Sequence, residues 1–195
     1  MISLLNSGPE ADVEELPAKS SPPWVWVGFF FAFLFLVCEF FDVLVVEDHE
    51  LFRLVLIIVV LSGWIYWLGC VHRFHKILGE MSRHRYPITG GEAVGRHFIP
   101  FYNFVWIVRW PAAFSDYLNS KGRVKMISGY VAGTLLLLSV LLRFVEGALG
   151  LAATFAIGLY LSAKLRAHMK AVKGSSSEML PPLPDPRMFG ATRKT

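Results

Sequence analysis

The chain has 195 residues, 54% of them hydrophobic and only 17% charged, with a net charge of +4 and a mean hydropathy of +0.50. An average soluble protein carries about 25% charged residues, so this chain lacks the charge to cover a water-facing surface. Disordered and collagen-like chains are excluded by composition, and a disulfide framework by the presence of only 2 cysteines. A membrane protein remains.

A spanning helix needs about 20 apolar residues, each adding about 1.5 Å across a hydrocarbon core about 30 Å thick. Residues 1–22 form an acidic tail without the basic start of a secretory signal. Four apolar stretches follow, at 23–46, 51–71, 126–142 and 148–163. The expected fold is therefore all-α and integral to the membrane, with four transmembrane helices. The last two are separated only by Arg143–Gly147, so they read as a tight antiparallel hairpin. Residues 174–195, rich in Ser and Pro, read as a disordered tail.

Charge sets the expected orientation. Of the 19 Lys and Arg, only Arg53 and Arg143 fall at the outer ends of the spans, while Glu39, Asp42, Glu47, Asp48, Glu50 and Glu146 gather there. Cationic loops stay cytoplasmic, so both termini are expected in the cytoplasm. Cys38 and Cys70 fall in opposite leaflets, too far apart for the Cα separation of about 7 Å that a disulfide tolerates.

Residues 72–125 form a basic cytoplasmic loop with an apolar interior. Its stretch 98–114 contains Pro100, Asn103, Arg109 and Pro111, which count against a span. Its aromatic residues suit the headgroup boundary, so it reads as an interfacial or re-entrant segment. Thr89 followed by Glu92 is a capping box, placing a helix start near Gly90. The expectation is one aromatic helix over 90–110, kinked at Pro100 and ended at Trp110-Pro111. Simple anchoring is the favoured role, with Gly90-Gly91 and Arg96 as a candidate anion or lipid-phosphate site. His72, His75, His84 and His97, interleaved with Arg and Lys, read as a basic collar facing lipid headgroups rather than as a metal site.

The run Tyr86-Pro87-Ile88 to Ala93-Val94 and on through His97-Phe98-Ile99-Pro100-Phe101-Tyr102-Asn103 to Trp106 resembles a motif of bacterial multipass membrane proteins of unknown function. This chain departs from it with Gly90-Gly91, where those proteins tend to carry Pro or Lys. The resemblance implies a bacterial inner membrane and names no chemistry.

Small residues mark helix packing. Gly150, Thr154, Gly158 and Ser162 form a ridge at every fourth position, and Gly129 with Gly133 forms a GxxxG pair. They are expected to pack the third span against the fourth. Glu39 and Asp42 share a face of the first span, and an ion pair with Arg53 is favoured over an ion or proton site. Neither HExxH nor GxSxG occurs, so no catalytic, metal or cofactor site is expected. The expected function is a non-catalytic scaffold, accessory subunit or assembly factor. The alternative is an oligomeric channel or transporter using Glu39, Asp42 and Arg53. Membrane lipids, with a membrane-protein partner or further copies of the chain, are the expected partners; nucleic acid is not.

Overall fold

The computed structural model describes residues 21–44, 49–83 and 85–178. The acidic tail before Ser21 and the Pro-rich tail from 179 onward lie outside the described residues. Within them the fold is all-helical: α1 (Trp26–Leu44), α2 (His49–Met81), α3 (Gly90–Gly95), a 3-10 turn (Arg96–Phe98), α4 (Tyr102–Ser120), α5 (Gly129–Leu142) and α6 (Gly147–Glu178).

Two of these helices, over Arg53–Met81 and Gly147–Gly174, are long and apolar enough to cross a membrane. The corresponding stretches of α1 and α5 are apolar but shorter. At 32 residues, α6 extends for about 48 Å, well past the apolar stretch expected at 148–163 and through Gly174. Helix α2 likewise runs on from the expected limit at residue 71 to Met81. α6 carries all of its Lys and Arg on its extension, and α2 carries Arg73 and Lys76 there, with Arg53 alone near its start.

α1 packs on α2 and α6, and α5 packs on both α6 and α4. The hydrophobic face of a helix in water points inward, yet here large apolar side chains point out. Phe30, Phe33 and Phe40 on α1, Ile57, Leu61 and Ile65 on α2, and Leu135 and Leu138 on α5 are all exposed. Meanwhile His75, Ser115, Ser139, Thr154, Ser162 and His168 are buried.

The segment between α2 and α5 departs from the single helix expected over 90–110. The capping box forms: the Glu92 amide donates to Thr89 Oγ1 at 3.2 Å, and the Thr89 amide to Glu92 Oε2 at 3.0 Å. α3 starts at Gly90 as a consequence, but it ends at Gly95. The chain then reverses over Ile99–Phe101, where Phe101 has φ +61°, and α4 begins at Tyr102. Pro100 therefore breaks the chain into two legs instead of kinking one helix.

Nor does Pro111 end the helix, since α4 continues through it to Ser120. Proline removes the bond to the carbonyl one turn back, a loss of about 3 kcal/mol in an isolated helix. Here Trp110, Pro111, Ala112 and Phe114 are all buried, and packing on α2 and α5 outweighs that loss.

Glycines decide the α4–α5 contact. A Cβ on Gly129 would meet the Ala112 carbonyl oxygen at 2.5 Å, and one on Gly133 would collide with the backbone of Val108. The GxxxG pair thus packs against α4, not α6 as expected. The α6 ridge is divided among four partners. Gly150 lies against Arg143, Thr154 pairs with Ser139 of α5 at 3.0 Å, and Gly158 lies under Trp67 of α2. Ser162 donates to the Pro23 carbonyl at 3.4 Å.

A candidate site at the apex of a helical hairpin

The two legs of the 86–120 hairpin lie along α2. On the first leg Tyr86 stacks on His75 at 5.5 Å, and further along His97 and Phe98 meet Trp64 edge-on at 6.4 and 5.9 Å. Returning, α4 places Trp110 against Trp67 at 6.2 Å and Phe114 against Phe74 at 5.8 Å. The first leg therefore climbs α2 backwards by about three turns, and the second descends it. Both ends of the hairpin lie beside the same end of α2.

One carbonyl ties the legs together. Ala93 oxygen accepts from Trp106 Nε1 at 2.9 Å and from His97 Nδ1 at 2.7 Å. A carbonyl can only accept, so Nδ1 carries the proton and Nε2 is left as an acceptor. Burial holds the His97 imidazole below its ordinary range, which keeps it neutral. Tyr102 stacks on Trp106 at 6.1 Å, and the Arg96 guanidinium sits 4.6 Å from the Trp106 ring centroid.

Arg96 also bonds Glu92 Oε1 at 3.2 Å. Glu92 thus caps the start of α3, and its carboxylate holds Arg96, the cation of the candidate anion site at Gly90-Gly91. Gly90 instead lets α3 press on α2, because a Cβ there would meet His72 Nδ1 at 2.9 Å.

The expected lipid-facing collar of histidines is corrected as well. His72 is exposed, but His75 is fully buried and His97 is 6% exposed. His84 lies outside the described residues. Tyr86 is buried too, while Pro87, Phe98, Ile99, Pro100 and Phe101 are exposed and Tyr102 and Asn103 partly so. Phe101, 87% exposed, stands at the apex.

A cavity of about 300 Å³ lies beside the apex. Val60, Trp64 and Trp67 of α2, Ile107 of α4 and Leu136 and Val140 of α5 make its apolar walls. Its polar lining is His97, Asn103, Thr154 and Arg143. Thr154 is satisfied, donating to the Gly150 carbonyl at 2.9 Å. His97 Nε2 and Asn103 Oδ1 are buried without a hydrogen-bond partner. Residue order alone gives no sign that Arg143, in the α5–α6 turn, lies across a cavity from the 97–103 segment. Only the reversal at Pro100 brings them together.

Of the expected Glu39–Asp42–Arg53 cluster, Glu39 lies beside the start of α6, where a Cβ on Gly147 would be 3.2 Å from its Oε1. Arg53 is exposed, and among the described residues no ion pair joins it to Glu39. The Asp42 side chain lies outside the described residues. Cys38 and Cys70 are buried free thiols. Compared with protein-family models, with curated proteins and with solved structures, the chain matches none.

Proposed function

We propose that the chain is a multipass membrane protein of the bacterial inner membrane, in which α1, α2, α5 and α6 cross the bilayer. The hairpin of α3 and α4 enters from the cytoplasmic side and returns to it, and both termini are cytoplasmic. Within this frame the protein is a non-catalytic module that contacts lipid and partner helices, as a scaffold, accessory subunit or assembly factor.

The observation that carries the reading is the inverted pattern of exposure. Large apolar side chains face outward on α1, α2 and α5 and at the hairpin apex, while His, Ser and Thr lie inside. Soluble monomers rarely expose apolar patches beyond a few hundred Å². The apex agrees with insertion, since Phe98, Ile99, Phe101, Phe104 and Val105 are all exposed. Arg109 is exposed on α4, and its long apolar stem suits snorkelling toward the headgroups. The resemblance of the 86–106 motif to bacterial membrane proteins points to the same compartment.

The non-catalytic reading rests on how the hydroxyls are used. Ser139 donates to the Leu136 carbonyl at 2.7 Å and its neighbour Thr154 to the Gly150 carbonyl at 2.9 Å, so both protons are committed to the backbone; Ser115 Oγ, also buried, has no hydrogen-bond partner among the described residues. A channel or transporter of several copies is the second reading. The broken helix beside a polar-ended cavity favours it, because transporters place binding groups at such breaks.

Native mass spectrometry of the tagged protein, extracted gently with its lipids, separates the two. A foreign subunit in fixed ratio is the expected result. A homo-oligomer without a foreign subunit would favour the channel and count against the accessory role.

A further inference from the structure

The cavity at the hairpin apex has a donor and acceptor pattern that specifies a ligand. Arg143 reaches it from the α5–α6 turn as a permanent cation, and among the described residues no carboxylate pairs with it. A half-buried guanidinium is costly to leave without an anion. Across the cavity, His97 Nε2 and Asn103 Oδ1 are acceptors without donors. Buried polar atoms of this kind are nearly always satisfied, here by something other than the protein. The remaining walls are apolar, and the exposed rings of Phe104 and Phe144 border the cavity toward the outside.

We propose that the cavity binds the headgroup of an anionic lipid that joins a phosphodiester to free hydroxyls, as phosphatidylglycerol does. The phosphate lies on Arg143, and headgroup hydroxyls donate to His97 Nε2 and Asn103 Oδ1. The acyl chains leave past Phe104 and Phe144 into the bilayer. A phosphocholine headgroup supplies the phosphate but no hydroxyl donor, and its cation is repelled by Arg143. The volume of about 300 Å³ is at the small end of ligand sites and suits a headgroup rather than a whole lipid. This inference rests on the membrane reading above, and it accounts for two of the buried atoms that the hairpin leaves without partners, the two that line the cavity.

The test is a lipid titration of the full chain in detergent, read as single-lipid adducts by native mass spectrometry. Phosphatidylglycerol, phosphatidylcholine and soluble glycerol 3-phosphate are the probes. One phosphatidylglycerol is expected to bind at least tenfold more tightly than phosphatidylcholine. Arg143→Met and Asn103→Leu should each weaken that adduct about tenfold, the worth of one charged or buried hydrogen bond. Arg109→Met, which removes an exposed cation of α4 away from the cavity, should leave it unchanged. Using both cavity variants guards against one of them failing to fold. Competition by glycerol 3-phosphate would support the site and identify the headgroup alone as sufficient. Equal affinity for the two lipids, or equal losses in Arg143→Met and Arg109→Met, would overturn the proposal. A chain that stayed monodisperse without detergent would instead sink the membrane reading itself.

Discussion

Two helical hairpins pack on the α1–α2 pair, and they are closed by opposite means. The α5–α6 hairpin turns within a few residues and is joined by small side chains, with Ser139 and Thr154 hydrogen-bonded where it is tightest. The 86–120 hairpin is filled with rings, and its legs are joined through the single Ala93 carbonyl. Small residues let backbones touch, so the first hairpin satisfies the hydroxyls of Ser139 and Thr154 internally. Bulky aromatics hold backbones apart, and the second leaves buried atoms unpaired at its apex. Close packing gives one hairpin a structural role, while the looser aromatic one has room for a ligand.

The largest expected effect falls where the two hairpins meet. Gly133→Leu has no space against the Val108 backbone and should lose about 3 kcal/mol or more in detergent unfolding. Gly69→Leu, at a position with open space, should lose at most the modest amount set by local propensity. Similar losses at both sites would mean that α4 does not lie on α5.

A smaller effect separates two tryptophans of α4. Trp106→Phe removes the donor to Ala93 and leaves that buried carbonyl with one bond fewer, whereas Trp110 Nε1 has no partner to lose. Both variants shed comparable volume, so Trp106→Phe should cost about 1 kcal/mol more than Trp110→Phe. A double-mutant cycle of Ser139→Ala with Thr154→Val should give a coupling of only about 0.6 kcal/mol, typical of such pairs between membrane helices. A larger coupling there than at Trp106 would reverse the ranking of the two hairpins.

The smallest effect is at the start of α3. Hydrogen bonds from Thr89 hold the Glu92 carboxyl below its usual range. A depressed folded pKa means that the stability Glu92 contributes is present above the unfolded value near 4.5 and is lost as pH falls through the folded one. Thr89→Ala should cost about 1 kcal/mol of local helix stability. NMR titration should then find Glu92 back in the ordinary carboxylate range, and an unchanged midpoint would remove the cap from the explanation.

Much of this architecture is legible in residue order, and the exceptions have physical causes. Thr89 and Glu92 mark the start of α3 because a capping box is a local device. The apolar stretches of α2 and α6 are legible because hydropathy is summed over many residues. Pro111 misleads, since whether a proline ends a helix depends on what packs beside it, and here Gly129 is distant in sequence. His75 and His97 mislead for the same reason: basic neighbours suggest a lipid-facing surface, while tertiary packing buries both rings. The partner of Gly129 and Gly133 was beyond a pattern reading, because GxxxG states how closely a helix can approach and not which helix it meets.

The central claim is that the 86–120 segment enters the bilayer and leaves it on one side. Single cysteines placed at Arg85, Arg123 and Val145 in a chain lacking Cys38 and Cys70 test it directly, and all three positions are exposed. A membrane-impermeant maleimide applied to sealed inverted vesicles is expected to label Arg85→Cys and Arg123→Cys and to spare Val145→Cys. Labelling of Arg85→Cys and Arg123→Cys from opposite faces would make α4 a fifth crossing and contradict the hairpin.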